Sequence, residues 1–121
     1  MSNLLMIEDD ARLAGMVSEY LGASGFVVSH APDAQTGLAR LQSAGVDLVI
    51  LDLMLPGCSG LEILEAIRAH PETSRTPVMM LTAKGQGRDR EAAERAGVDR
   101  FMTKPFSNSE MIASVRELVR R

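Results

Sequence analysis

Tryptophan is absent, and aromatic residues make up only 3% of the 121-residue chain. That scarcity removes the aromatic platforms on which single-stranded bases stack. It also leaves the core to aliphatic side chains and some of the eight methionines. The single cysteine, Cys58, has no partner for an internal disulfide, which fits a reducing compartment. There is no basic excess: 13 Lys and Arg stand against 16 Asp and Glu, a formal charge of −3. Direct nucleic-acid binding by the domain therefore has no support. No apolar run approaches the roughly 18 residues of a membrane span. Acids interrupt the first apolar run after residue 7, so no signal peptide is expected and a cytoplasmic location is. Neither G-x-G-x-x-G nor G-x-x-x-x-G-K-[ST] occurs, which argues against nucleotide binding. His30 and His70 are isolated and Cys58 is alone, so the spacing does not suit zinc.

What is present reads as one domain over residues 1–121, with 45% hydrophobic and 24% charged residues. Short apolar runs recur at 3–7, 25–30, 47–52, 77–82 and 99–103. Between them the spacing is helical. Leu13, Met16, Val17 and Leu21 share a face in 10–23, and Ala34, Leu38 and Leu41 in 33–44. Leu61, Leu64 and Ile67 do so in 60–69, and Met111, Ile112, Val115, Leu118 and Val119 in 108–119. The stretch 87–96 offers only Ala92, Ala93 and Ala96, a thin side that should pack shallowly. Gly22 or Gly25, Gly45 and Gly97 are expected to close the first, second and fourth helices, and Pro71 the third. This βα alternation predicts an α/β fold: a doubly wound five-stranded parallel sheet of order 2-1-3-4-5, flanked by five helices.

Ligands of such sheets bind beyond the carboxyl ends of the strands. There the first strand ends in Glu8 and Asp9, the third in Asp52, the fourth in Thr82 and the fifth in Lys104. Three carboxylates and one ammonium sum to −2. Two unit charges about 4 Å apart interact by roughly 4 kcal/mol at an effective dielectric of 20. Such a cluster either retains a proton or binds a cation. All-oxygen donors suit Mg²⁺, with Mn²⁺ as the alternative. A metal beside a carboxylate, a hydroxyl and a lysine is equipment for phosphoryl transfer. Asp10, one place further on, is read instead as serving the first turn of a helix, whose dipole favours acids.

"IEDD", "LVILDLMLPG", "MLTA" and "FMTKPF", in this order and at these separations, resemble the receiver domain of two-component response regulators over essentially the whole chain. The resemblance implies that Asp52 is a phosphoacceptor, loaded from a histidine of a sensor kinase or a phosphotransfer protein. It implies that Asp9 ligates Mg²⁺ directly and Glu8 mostly through water, with Asp52 and the backbone carbonyl of Met54 completing the protein ligands. Thr82 matches the switch hydroxyl, Lys104 the family's lysine, and Phe101 the switch aromatic, with plain core packing as its competing role. The peptide before Pro105 is a cis candidate. Phosphorylation would draw Thr82 toward the phosphoryl group and Phe101 inward, altering the face of the fourth helix, fifth strand and fifth helix.

Two further functions compete. Haloacid-dehalogenase-type phosphatases share the Asp, Thr, Lys and Mg²⁺, but use a second Asp two residues after the nucleophile, where this chain has Met54. A constitutive interaction module would not need the complete acidic pocket. Met54 and Lys84 match positions that flank the phosphoryl group in the family. Neither supplies a base for water, so slow self-dephosphorylation is expected. The segment 110–121 resembles the helix that leads into a DNA-binding domain, so the chain reads either as part of a transcriptional regulator or as a stand-alone receiver. Arg90 and Glu110 match one cross-subunit ion pair of a homodimer through the same face. Arg100 and Ser114 stand where a second pair usually has an acid and an Arg, and Glu94 replaces an apolar contact. Pro56–Gly57 is a turn, and Cys58 is read as a bystander.

Overall fold

The computed structural model describes residues 2–43, 45–83 and 87–120. The described residues form the expected sheet, with one small addition. The elements run β1 Asn3–Ile7, α1 Ala11–Ala23, β2 Val27–Ala31, α2 Ala34–Ser43, β3 Leu48–Asp52, β4 Met54–Leu55 and β5 Cys58–Ser59. They continue with α3 Gly60–Ala69, β6 Val78–Thr82, α4 Gly87–Ala96, β7 Arg100–Thr103 and α5 Asn108–Val119. Five parallel strands lie in the order β2-β1-β3-β6-β7. This is the predicted 2-1-3-4-5 once the short antiparallel β4–β5 hairpin around Pro56–Gly57 is set aside. Pro56–Gly57 in the sequence signals only a turn here. Two-residue strands carry no periodicity that could announce them.

The central strands β3 and β6 are buried along their whole length, as apolar runs covered on both faces must be. Alternate side chains divide the core. Leu5, Ile7, Val49, Leu51, Val78 and Met80 meet Leu41, Ile63, Leu64, Ile67 and Ala93 on one side. Leu4, Met6, Leu48, Ile50, Met79 and Leu81 meet Ala14, Val17, Leu21, Met111, Val115 and Leu118 on the other. One expected core residue is misplaced. Met16 is 55% exposed, because Ala14, Val17 and Leu21 define the buried stripe and Met16 lies more than a quarter-turn from its centre. Edge strand β2 starts at Val27, not Gly25, since Gly25 takes φ +98° as the stop after α1.

Local chemistry sets the helix starts. The Asp10 carboxylate accepts the Arg12 and Leu13 N–H groups at 3.0 and 3.1 Å, capping α1. Ser59 with Glu62, and Ser107 with Glu110, close reciprocal capping boxes on α3 and α5. At the end of the sheet opposite the carboxyl ends, Arg68 fastens α3 to its surroundings. It donates to the carbonyls of Gly97, Ser74 and Thr76 and pairs with Asp99 at 2.8 Å. Asp99 also accepts the Val78 N–H at 2.8 Å, tying the start of β6 to the residue before β7. No described helix is long and apolar enough to cross a membrane.

Candidate functional site

β1 and β3 are neighbours in register, Ile7 facing Leu51, so the residues that follow each strand emerge side by side. Glu8 leaves β1 almost fully buried, at 1% exposure, and Asp52 ends β3 at 5%. Asp9, one residue on, is exposed. Carboxylate oxygens of Glu8, Asp9 and Asp52 lie within 4.8 Å of one another. β7 delivers Lys104 to the same place. Its ammonium donates to Glu8 Oε1 at 3.1 Å and to Asp52 Oδ2 at 3.3 Å. The second carboxylate oxygens of Glu8 and Asp52 each take a backbone N–H at 3.1 Å, Asp10 on Glu8 Oε2 and Met54 on Asp52 Oδ1.

The backbone holds this cluster from behind. Lys104 N–H donates to the Thr82 carbonyl at 2.6 Å, joining the ends of β6 and β7. Leu53 N–H donates to the Leu81 carbonyl at 2.8 Å, and Gly60 N–H to the Leu53 carbonyl at 2.7 Å. Gly60 is required there by space. A Cβ at this position would lie 2.4 Å from the Asp52 carbonyl oxygen and 2.8 Å from Leu53 Cα, too close for any side chain. The start of α3 thus presses against the backbone that carries Asp52. The Lys104–Pro105 peptide is cis.

One ammonium cannot neutralise two buried carboxylates. Burial first, then the shared hydrogen bond with Asp52 and the charge on Asp52, raise the Glu8 carboxyl from 4.5 to about 7. The Asp10 N–H and Lys104 oppose this only in part. Burial alone would lower Lys104, but attraction to Asp52 and Glu8 outweighs it and holds the ammonium above its usual value. The group has the donors for a hard divalent cation, all oxygen and negative in excess. It also has a buried carboxylate held between a cation and a backbone donor, which can act as an acceptor of an electrophilic group.

The other expected residues distribute around this centre. Thr82 is buried at the end of β6, opposite Thr103 of β7. Met54 stands beside Asp52 with its side chain 74% exposed. Lys84 lies outside the described residues. Phe101 is half-buried against the core that holds Ala93, and lines a groove of about 750 Å³ between α4, β7 and α5. Arg90 and Glu110 line the same groove, but each is engaged within its own helix. Arg90 pairs with Glu94 at 3.4 Å, and the Glu110 carboxylate accepts the Ser107 N–H at 3.3 Å in the α5 capping box. Arg100 pairs with Glu117 at 2.9 Å and approaches Ser114. Cys58 sits on the β4–β5 hairpin with its thiol toward Glu62, 3.2 Å away; this carboxylate raises the thiol's pKa. Two contributors escaped the sequence reading. Gly60 was signalled by the Ser59-x-x-Glu62 box, which puts a helix start on it. His30, set aside as isolated, lies against the Glu8 backbone, and no sequence signal shows this.

A family model for the response regulator receiver domain matches residues 4–116. The phosphate regulon transcriptional regulatory protein PhoB of Rhizobium meliloti is 39% identical over 118 residues, covering 98% of this chain and 52% of the relative. The transcriptional regulatory protein CpxR of Escherichia coli is 37% identical over 121 residues, covering 100% of this chain and 50% of the relative. The chain thus spans about half the length of these curated relatives. Among solved structures, the chemotaxis protein CheY4 of Vibrio cholerae superposes with a TM-score of 0.93 at 27% identity, covering 98% of each chain. The response regulator TrrA of Thermotoga maritima, in complex with Mg²⁺ and BeF, gives 0.87 at 29% identity, covering 98% of this chain and 99% of that one. The fold, the four strand-end motifs and these relatives agree: the chain belongs to the response regulator receiver domain family.

Proposed function

We propose that Asp52 accepts a phosphoryl group from a phosphohistidine of a sensor kinase or phosphotransfer protein, with Glu8 and Asp9 completing a Mg²⁺ site that Mn²⁺ can also fill. The observation that carries this reading is the bridge of Lys104 between Glu8 and Asp52, inside a cluster of three carboxylates. When bound, the cation would supply neutralisation of the carboxylates and the phosphoryl oxygens. The carboxylates of Glu8, Asp9 and Asp52 and the backbone carbonyl of Met54 are the proposed ligands. One Asp52 carboxylate oxygen attacks phosphorus, the O–P bond forms as the P–N bond breaks, and the histidine nitrogen leaves with the electron pair. The Lys104 ammonium, already paired with Asp52, then donates to a phosphoryl oxygen, and the Thr82 hydroxyl to another. The exposed Met54 offers no base to orient water, which favours a long-lived acyl phosphate.

The protein acts in this reading as a stoichiometric switch, with Thr82 and Phe101 transmitting the change to the α4–β7–α5 face. A homodimer through that face would have to exchange the internal side-chain partners of Arg90, Arg100 and Glu110 for new ones. Exposed ion pairs are each worth only about 0–1 kcal/mol, so that exchange offers little gain. The role in transcriptional regulation that the relatives' names state extends this reading to the whole protein, beyond the half of those relatives that this chain spans. Incubation with acetyl phosphate and Mg²⁺ should add one phosphoryl group by intact mass, lost with EDTA or in Asp52→Asn. Steady hydrolysis of generic phosphate esters would overturn the switch in favour of a phosphatase.

A further inference from the structure

His30 is the penultimate residue of β2, paired with Met6 of β1. Its Nε2 lies 2.6 Å from the backbone carbonyl oxygen of Glu8. A carbonyl oxygen only accepts, so Nε2 carries the proton and donates. That oxygen belongs to the peptide unit joining Glu8 to Asp9, the two acids of the candidate cation site. A peptide unit is planar, so the direction of its C=O sets where the next Cα goes.

The geometry shows why a side chain is needed here. Glu8 N–H donates to the Ala31 carbonyl at 3.0 Å, extending the β1–β2 ladder one step beyond Ile7 and Ala31. In a continuing parallel ladder the Glu8 carbonyl would accept a backbone N–H from further along β2. β2 instead ends at Ala31, Pro32 follows, and the Asp33 carboxylate caps α2 through the Thr36 N–H. Among the described residues the donor to the Glu8 carbonyl is the His30 ring, not a backbone N–H. Arg40 of α2 in turn donates to the His30 carbonyl, fixing the strand end from which the ring projects. Unlike Glu8 and Asp52, the exposed Asp9 carboxylate has no hydrogen-bond partner among the described residues, so its direction depends on its backbone.

We infer that His30 is a positioning residue for the divalent-cation site: its ring replaces the missing ladder bond and orients the Glu8–Asp9 peptide, and through it the Asp9 carboxylate. The inference rests on the reading of Glu8, Asp9 and Asp52 as that site. Removal of a hydrogen-bond partner behind a metal ligand typically costs about 10–100-fold in affinity. Gln can bring an N–H to nearly the same point as Nε2, and Ala cannot.

The test measures Mn²⁺ affinity at pH 8, by the electron-spin signal of free Mn²⁺, for the wild type, His30→Ala and His30→Gln. A ¹H–¹⁵N spectrum of the metal-free wild type reports which ring nitrogen is protonated. The expected result is a loss of about tenfold or more in His30→Ala, affinity close to wild type in His30→Gln, and the Nε2-protonated tautomer without metal. Unchanged affinity in His30→Ala, equal losses in both variants, or the Nδ1-protonated tautomer would each overturn the role of His30 while leaving the site intact. A wild type that fails to bind Mn²⁺ would overturn the site itself. Should His30→Ala not fold, His30→Gln and the tautomer decide.

Discussion

Glu8→Gln is expected to stabilise the metal-free protein while impairing its use of a cation. Glu8 is 1% exposed, and its carboxyl is raised from 4.5 to about 7, by burial first and then by Asp52. A carboxyl whose folded value lies above its unfolded value is bound more tightly by its proton in the folded state. Its contribution is therefore fully present below about pH 4.5 and is lost as pH rises toward 7. At pH 8 the ionised side chain costs roughly 3 kcal/mol relative to its neutral form, at 1.36 kcal/mol per pK unit. Gln keeps the shape, can still accept from Lys104 or Asp10, and can donate to Asp52 as a protonated Glu8 does. In EDTA at pH 8 the variant should melt roughly 10 °C above the wild type. The difference should shrink toward zero as the pH approaches 4.5. Thermal unfolding by circular dichroism across that range measures both. An advantage absent at pH 8, or one undiminished at low pH, would refute the electrostatic account of this pocket.

Other perturbations test separate parts of the structure. Arg68→Leu breaks a largely buried ion pair and leaves the carbonyls of Gly97, Ser74 and Thr76 without this donor, so denaturant unfolding should register a loss of about 3 kcal/mol; a loss within error of zero would contradict the fastening role. Gly60→Ala must push the Asp52–Leu53 backbone aside, costing about 2 kcal/mol or more and slowing phosphorylation by acetyl phosphate in well-folded protein. Unaltered rate and stability would show that the close approach is not real. Asp10→Ala should cost only about 1 kcal/mol, as loss of an N-cap, whereas Asp9→Ala should abolish Mg²⁺-dependent phosphorylation. Equal loss of phosphorylation in both would show the division between neighbouring acids to be wrong.

Much of the architecture is legible because each local pattern has one dominant cause. Apolar runs and helical spacing place all five helices to within a residue or so of Ala11–Ala23, Ala34–Ser43, Gly60–Ala69, Gly87–Ala96 and Asn108–Val119. Met16 departs from the expected core because the four-residue apolar face is wider than the stripe that packs, leaving its edge in solvent. The rule that ligands meet the carboxyl ends of parallel strands points to Glu8, Asp9, Asp52, Thr82 and Lys104 from the sequence alone. What it could not convey is reach and depth. The burial of Glu8 beside an exposed Asp9, the double contact of Lys104, and the closeness of Gly60 to Asp52 depend on strand register and helix approach. The His30 contact depends on where β2 leaves the sheet, a fact of three dimensions.

The central claim is that the phosphoryl group lands on Asp52. Protein treated with acetyl phosphate and Mg²⁺ can be reduced with borohydride, which converts an aspartyl phosphate to homoserine, and then sequenced by mass spectrometry. Homoserine at position 52, and no conversion at position 9 or 10, is the predicted result. Conversion at another aspartate, or none in protein that gained a phosphoryl group, would contradict it.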